Sequence, residues 1–263
     1  ILKELNLKII KENYFNFLYI MIMPTFIVGQ FLFKFVLFLI ILSGFISYRL
    51  KVFNFDRNFL NILFIIVLLY FTLNSIFVSS FYFTYNIRFI TFISIFLFFL
   101  ITNYLIINDL INLKLIFKMY LILLSFVYID SIYQFIYLED IFGFHYYHNY
   151  QRFAGPFGDE YILAAFMSFF SIPALLFFLK DIRGKNIYFL FIFFHITIYV
   201  ALKSGERIAF LTILLQILLI LLIFEYKKNF KHSLIFVGSV LIIILAGLSD
   251  KEIIKKYQHF YNI

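Results

Sequence analysis

Long apolar stretches separated by short charged segments recur along almost the whole chain. Between Tyr14 and Tyr48, for example, Lys34 is the only charged residue. A bilayer hydrocarbon core about 30 Å thick is crossed by about 20 apolar residues in a helix. Because that core offers no water to backbone polar groups, a spanning chain must be helical or form a closed barrel. The pattern predicts an all-α, polytopic transmembrane helical bundle.

The composition supports a membrane protein and narrows the possible chemistry. The sequence is 64% hydrophobic and 14% charged, which is too little polar surface to cover a water-soluble core. It contains no cysteine, so disulfides and thiolate metal sites are excluded. The net charge of +8 is typical of a membrane protein whose cytoplasmic loops are basic. We therefore expect membrane lipids as partners and no nucleic acid.

The gaps between charged residues predict about nine spans within one transmembrane domain, residues 1–263. They cover residues 14–33, 35–48, 59–79, 88–107, 115–137, 158–179, 187–202, 208–225 and 233–249. Fusing the first two, which only Lys34 divides, would give eight spans and an external N-terminus. Pro24 and Pro173 lie inside apolar runs, where we expect kinks rather than breaks.

The distribution of lysine and arginine predicts the orientation. Basic residues are more numerous in the N-terminal segment and in the alternate loops that include residues 49–57 and 180–185. Since short cytoplasmic loops carry the excess of basic residues, the N-terminus is predicted to be cytoplasmic. The loops at 138–157, 203–207 and 250–263 then lie on the outer face.

Two of these outer loops are unusually polar. The first, residues 139–160, ends in Arg152-Phe-Ala-Gly-Pro-Phe-Gly-Asp-Glu160, in which Gly155 and Gly158 allow a tight turn. The second is Lys203-Ser-Gly-Glu-Arg207. Arginine binds phosphate through two parallel hydrogen bonds, so Arg152 and Arg207 are candidates for binding a diphosphate. The alternatives are a solvated connector and a Glu206–Arg207 pair that caps its own helix.

Further polar residues suggest more than one role. Asp130 and Gln134 lie one turn apart inside a span, where a carboxylate must face a cavity or pair with a basic residue of a neighbouring helix. We leave both interpretations open. His145 and His148 are favoured as residues of the membrane interface over metal ligands, and His195 as a packed, neutral imidazole. No nucleotide-binding or zinc-protease motif is present.

Three segments together resemble the O-antigen polymerase and ligase family of membrane glycosyltransferases. The first segment is Arg152 to Glu160, which leads into a predicted span. The second is Ser204-Gly-Glu-Arg-Ile-Ala-Phe210, at the start of a later span, and the third is Asp130-Ser-Ile-Tyr-Gln134, which precedes Arg152 in the sequence. This resemblance covers roughly the central third of the chain. Family members generally carry a large periplasmic loop and further helices after the spans seen here, whereas this sequence has only residues 248–263 there. Either the chain is truncated or the protein is a reduced relative.

The resemblance implies transfer of an undecaprenyl-diphosphate-linked glycan to an acceptor glycan or lipid A core. It implies a place in the bacterial inner membrane, chemistry at the periplasmic face, and no cofactor or metal. The catalytic residues it indicates are Arg152, Asp159, Glu160, Glu206 and Arg207, and the substrate-binding residues are Arg88, Asp130, Gln134, Lys203, Gly155 and Gly158. The alternatives are a flippase for lipid-linked oligosaccharides, whose polar groups should lie near the midplane, and a non-catalytic assembly subunit.

Overall fold

The computed structural model describes residues 2–48, 83–145, 153–158, 162–179 and 186–225, with single helical positions at 62, 65–67, 69, 70, 238, 241 and 245. In these ranges the chain is all-helical. Its helices are α1 (Leu2–Val28), α2 (Gln30–Tyr48), α3 (Phe83–Ile107), α4 (Leu113–Tyr137), α5 (Leu163–Leu179), α6 (Asn186–Ser204) and α7 (Arg207–Glu225). A 3₁₀ turn covers Gly155–Phe157, and a single β-bridge joins Glu139 to His145.

Three helical segments within this part of the chain are long and apolar enough to cross a membrane. They are Gln30–Tyr48, Ile90–Ile107 and Leu113–Tyr137. Leu163–Leu175, Ile192–Ser204 and Arg207–Leu219 are apolar but shorter. Most of the predicted spans 59–79 and 233–249 lies outside the described residues.

The chain divides into two compact units, Ile1–Ile116 and Phe117–Ile263. In the first unit, α1 and α2 form a helical hairpin. The chain reverses at Gly29, whose φ of 154° is accessible to glycine but rarely to other residues. The rings of Phe26 and Phe33 meet across the turn at 4.9 Å, and those of Phe15 and Tyr48 meet at 6.0 Å. The boundary predicted at Lys34 was therefore wrong, but two separate helices are present.

The hairpin packs against α3 through small and polar residues. A Cβ atom on Gly44 of α2 would stand 2.6 Å from Cγ2 of the buried Ile101, so only glycine permits this approach. The hydroxyl of Tyr19 in α1 lies 2.6 Å from the hydroxyl of Thr102 in α3. Thr102 donates its own proton to the Phe98 carbonyl, so Tyr19 is the donor between the helices.

In the second unit, α5, α6 and α7 pack against one another. Here α4 contacts α6 through Tyr128, whose hydroxyl lies 2.5 Å from that of Thr197. It contacts α5 through Tyr120 and Phe170, whose rings are 5.6 Å apart. Pro173 lies inside the continuous helix α5, as Pro24 does in α1. Neither proline ends its helix. This agrees with the prediction from the sequence that the prolines do not break their spans.

Helix α5 begins at Leu163, five residues later than the predicted span at 158. The cause lies in the turn before it. Gly155 and Gly158 have φ values of 60° and 61°, which interrupt helical geometry on both sides of Pro156. The predicted spans 115–137, 187–202 and 208–225 match α4, α6 and α7 within two residues, whereas α1 and α3 begin twelve and five residues before the spans predicted at 14 and 88.

Candidate functional site

The C-terminal half of α4 carries polar residues that hold two non-helical segments of the second unit. Asp130 is fully buried, and its Oδ1 accepts a hydrogen bond from the Ile141 backbone N–H at 2.8 Å. Ile141 belongs to the segment Leu138–His145, which we name the 138–145 loop. Asp130 therefore binds backbone outside its own helix.

The 138–145 loop is closed by its own turn. Oδ1 of Asp140 accepts from the Phe144 N–H at 2.7 Å, and the Asp140 N–H donates to the Phe144 carbonyl at 3.0 Å. The Gly143 N–H donates to the Asp140 carbonyl. Oδ2 of Asp130 and Oδ2 of Asp140 are buried and have no hydrogen-bond partner among the described residues.

Gln134 holds the second segment. Its Oε1 accepts from the Gly155 N–H at 2.9 Å, which fixes the 3₁₀ turn against α4. A Cβ atom at Gly155 would lie 3.0 Å from Oγ of Ser131 and 3.1 Å from Cδ1 of Leu163. Glycine is required here for both its backbone conformation and its lack of a side chain.

The segment from Phe153 to Phe157 is packed inside the unit, although a solvated connector was one of the two interpretations of its sequence. Phe153, Ala154 and Phe157 are all at least nine-tenths buried. The Phe153 ring lies 4.6 Å from that of Phe135 in α4, and the Phe157 ring lies 4.9 Å from that of Phe166 in α5. The interpretation of this stretch as a solvated connector is therefore wrong.

The predicted second loop is a tight turn between α6 and α7. Oγ of Ser204 donates to the Ala201 carbonyl at 2.8 Å and accepts from the Glu206 N–H at 3.3 Å. Gly205 lies between them with a φ of 81°. This turn directs the side chain of Glu206 towards α5.

Glu206 caps a helix other than the one it precedes. Its Oε1 accepts from the Ala164 N–H at 2.7 Å and its Oε2 from the Ala165 N–H at 3.3 Å. These amides belong to the first turn of α5, whose N–H groups have no partner within their own helix. The carboxylate is 7% exposed, and a negative charge is favoured at this positive end of the helix dipole.

The two predicted motif segments therefore converge on the first turn of α5. The 3₁₀ turn contacts Leu163 and Phe166, and Glu206 binds Ala164 and Ala165 between them. Residues far apart in the sequence thus form one cluster at one end of the unit.

A groove of about 460 Å³ begins at this cluster and runs between α5 and α7. Arg207 and Glu206 lie at one end of it. The remaining lining residues are Ala165, Ser168, Phe169, Ile208, Ala209, Thr212 and Gln216. The groove thus combines one cation with a largely apolar wall.

Three polar side chains in the groove wall were not predicted from the sequence. The hydroxyls of Ser168 and Thr212 donate to carbonyls of their own helices, so their lone pairs remain available as acceptors. Oε1 of Gln216 is buried without a hydrogen-bond partner in the described part of the chain. The signal for them was Thr212 and Gln216 one turn apart within an apolar run.

The remaining predicted residues are only partly described. Arg152, Asp159, Glu160 and His148 lie outside the described residues, and Arg88 is described only as a backbone position in α3. Lys203 occupies the last turn of α6. The catalytic and substrate-binding roles assigned to these residues stay predictions.

The predicted histidines have different surroundings. His145 Nδ1 lies 3.3 Å from a carboxylate oxygen of Glu139 in an exposed pair at the base of the 138–145 loop. His195 is half-buried within α6. In the described ranges, no three histidine, aspartate or glutamate side chains come together in a metal-binding arrangement.

No protein-family model, curated protein or solved structure matches this chain.

Proposed function

We propose that the protein is a glycosyltransferase of the O-antigen polymerase or ligase type, acting on an undecaprenyl-diphosphate-linked glycan at the outer face of a bacterial inner membrane. The observation that supports this most is the convergence of the Gly155–Phe157 turn and Glu206 on the first turn of α5. The resemblance to this family rests on the same two segments, and transfer chemistry requires them to lie in one site.

The groove next to this cluster suits a lipid-linked diphosphate. Arg207 stands at its end, and guanidinium binds phosphate oxygens through paired hydrogen bonds. Phe169 and Ile208 give the groove an apolar wall on which a polyprenyl chain can pack. In this proposal, Arg152 and Arg88 contribute further positive charge as the diphosphate leaves.

The proposed reaction is a single displacement at a sugar carbon. The acceptor hydroxyl oxygen attacks the anomeric carbon, and the new glycosidic bond forms as the bond to the diphosphate oxygen breaks. The hydroxyl proton passes to a carboxylate, which we assign to Asp159 or Glu160. Glu206 instead positions the site, since both its oxygens already accept backbone N–H groups. The lipid diphosphate is an activated leaving group, so no cofactor or nucleotide takes part.

Deletion of the gene in the source organism tests this activity against the alternative of a flippase. The transferase proposal predicts that lipid-linked glycan accumulates on the outer face of the membrane, where a membrane-impermeant glycan-modifying enzyme reaches it in spheroplasts. Accumulation only on the cytoplasmic face would identify a flippase. Normal surface glycan without any accumulation would contradict both.

The proposal includes about nine spans with a cytoplasmic N-terminus, and α4 offers a direct test of this orientation. The chain has no cysteine, so Asn108→Cys and Glu139→Cys place single thiols in the segments that precede and follow α4. We expect an impermeant thiol reagent to label the variant at 139 in intact spheroplasts and the variant at 108 only after membrane disruption. The reverse pattern would contradict the orientation.

A further inference from the structure

The 138–145 loop folds back along α4 instead of extending away from its end. Leu138 ends the helix with a φ of 64°, a left-handed conformation that reverses the chain. Ile141 then lies beside Asp130, and the ring of Phe142 packs 6.0 Å from that of Phe126. Asp130 and Phe126 precede Tyr137 by seven and eleven residues, so the loop tip returns by about 10–16 Å along the helix.

This return brings apolar side chains to the depth of a membrane-spanning helix. Leu113–Tyr137 is one of the segments long and apolar enough to cross a bilayer. At the loop tip, Ile141, Phe142 and Phe144 are 48%, 61% and 50% exposed. Exposed apolar groups at this level are stabilised by contact with acyl chains rather than with water.

The polar groups of the loop are arranged to suit the same position. Its exposed polar pair, Glu139 and His145, lies at the base, where the loop begins and ends. Asp140, near the tip, is only 2% exposed and is turned to the loop backbone. Irregular backbone at membrane depth requires protein partners for its N–H groups, and Asp130 supplies one to Ile141.

We propose that the 138–145 loop is a re-entrant element whose tip, Ile141 to Phe144, inserts among the acyl chains of the leaflet at the C-terminal end of α4. Asp130 anchors it by accepting the Ile141 N–H. The partner of this surface is lipid hydrocarbon, and the proposal does not depend on glycosyl transfer.

Tryptophan fluorescence measures the depth of the loop directly, because the natural chain contains no tryptophan. Phe142→Trp, Phe126→Trp and Tyr137→Trp variants of the full chain are placed in phosphatidylcholine vesicles brominated at different acyl positions. We expect the emitter at 142 to be quenched by the same deep acyl bromines as the emitter at 126, and to lie about 16 Å deeper than the emitter at 137. Quenching of the variant at 142 by aqueous iodide, or at a shallower depth than that at 137, would overturn the proposal.

A second pair of variants tests the anchor. In the Phe142→Trp background, Asp130→Asn keeps an oxygen acceptor for the Ile141 N–H, so the depth should not change. Asp130→Leu removes the acceptor, and the emitter should move towards the membrane surface by several ångströms. An unchanged depth in the leucine variant would show that Asp130 does not anchor the loop. Phe142→Cys adds an independent readout, since its thiol should resist impermeant reagents from both sides.

Discussion

The two units share one type of contact between helices but differ in whether buried side chains bind irregular backbone. Each contains a tyrosine hydroxyl bonded to a threonine of another helix, Tyr19 with Thr102 in the first and Tyr128 with Thr197 in the second. In the second unit alone, among the described residues, buried side chains also bind the backbone of distant non-helical segments or helix ends. Those side chains are Asp130, Gln134 and Glu206.

The first unit offers one related contact, from Oδ1 of Asn16 to the Asn112 N–H, and this contact is exposed. Its described helices pack instead by close approach, as Gly44 does with Ile101. The difference shows that polar residues in apolar helices need not mark catalysis directly. Here they first stabilise irregular backbone, and binding residues are disproportionately found on such segments when a rigid scaffold positions them.

The largest effect should come from Glu206→Ala. Loss of the carboxylate leaves the buried N–H of Ala164 and the part-buried N–H of Ala165 without their acceptor, and a buried unsatisfied group costs about 1–3 kcal/mol. Thermal denaturation in detergent, followed by size-exclusion chromatography, should show a large loss of stability. Glu206→Gln should recover part of it. The control, Glu139→Ala, removes only an exposed contact with His145 and should change stability by less than about 1 kcal/mol. Equal losses at 206 and 139 would mean that the cap contributes little.

Gly155→Ala should be the next most damaging change. The alanine must adopt a left-handed φ, which costs about 1–2 kcal/mol, and its Cβ also meets Ser131 and Leu163 at 3.0–3.1 Å. Gly143→Ala is a matched control, because that glycine has a φ of 86° but no atom of the described residues within 4 Å of the added Cβ. The same denaturation measurement should therefore show a larger loss of stability for the variant at 155 than for the variant at 143. The opposite ranking would show that the turn does not pack tightly on α4 and α5.

In the first unit, Gly44→Ala tests packing without any hydrogen bond. Overpacking of a filled interior costs about 1–3 kcal/mol, and Ile101 is fully buried where the new Cβ would lie. In the double variant with Ile101→Ala, the loss of stability should be smaller than the sum of the losses in the two single variants, because the shorter side chain at 101 leaves room for the new Cβ. Gly238→Ala, where the added Cβ has no neighbour within 4 Å in the described part of the chain, should be close to neutral. Additive effects at 44 and 101 would contradict direct contact.

The smallest effects should come from the feature that the two units share. Tyr19→Phe and Tyr128→Phe each remove a hydroxyl donor between helices, while Thr102 and Thr197 keep their bonds to Phe98 and Phe193. Interhelical hydrogen bonds in membranes average about 0.6 kcal/mol, so both variants should denature within a few degrees of the natural protein. A large loss of stability in only one of the two variants would show that the two hydrogen bonds do not have the same role in their units.

Much of the helical pattern could be predicted from the sequence, and the tertiary contacts of the site could not. Run length and charge located α4 and α7 closely, because the length of an apolar segment can be predicted without its packing partners. The turn at Gly29 was missed since no charge marks it, and the prediction instead relied on Lys34. The cap on α5 joins residues 42 positions apart, so it follows from helix packing that no local pattern records. The same is true of the return of the 138–145 loop to Asp130.

Arg207→Lys in the full-length protein tests whether Arg207 binds the diphosphate of the lipid-linked glycan. Lysine keeps the positive charge beside the groove but loses the paired hydrogen bonds to phosphate. Membranes carrying the variant are supplied with undecaprenyl-diphosphate-linked glycan, and transferred product is separated by chain length, with thermal stability measured in parallel. We expect natural stability with a tenfold or larger loss of transfer, equivalent to about 1.4 kcal/mol of transition-state stabilisation. Natural transfer and product length in the stable lysine variant would contradict it.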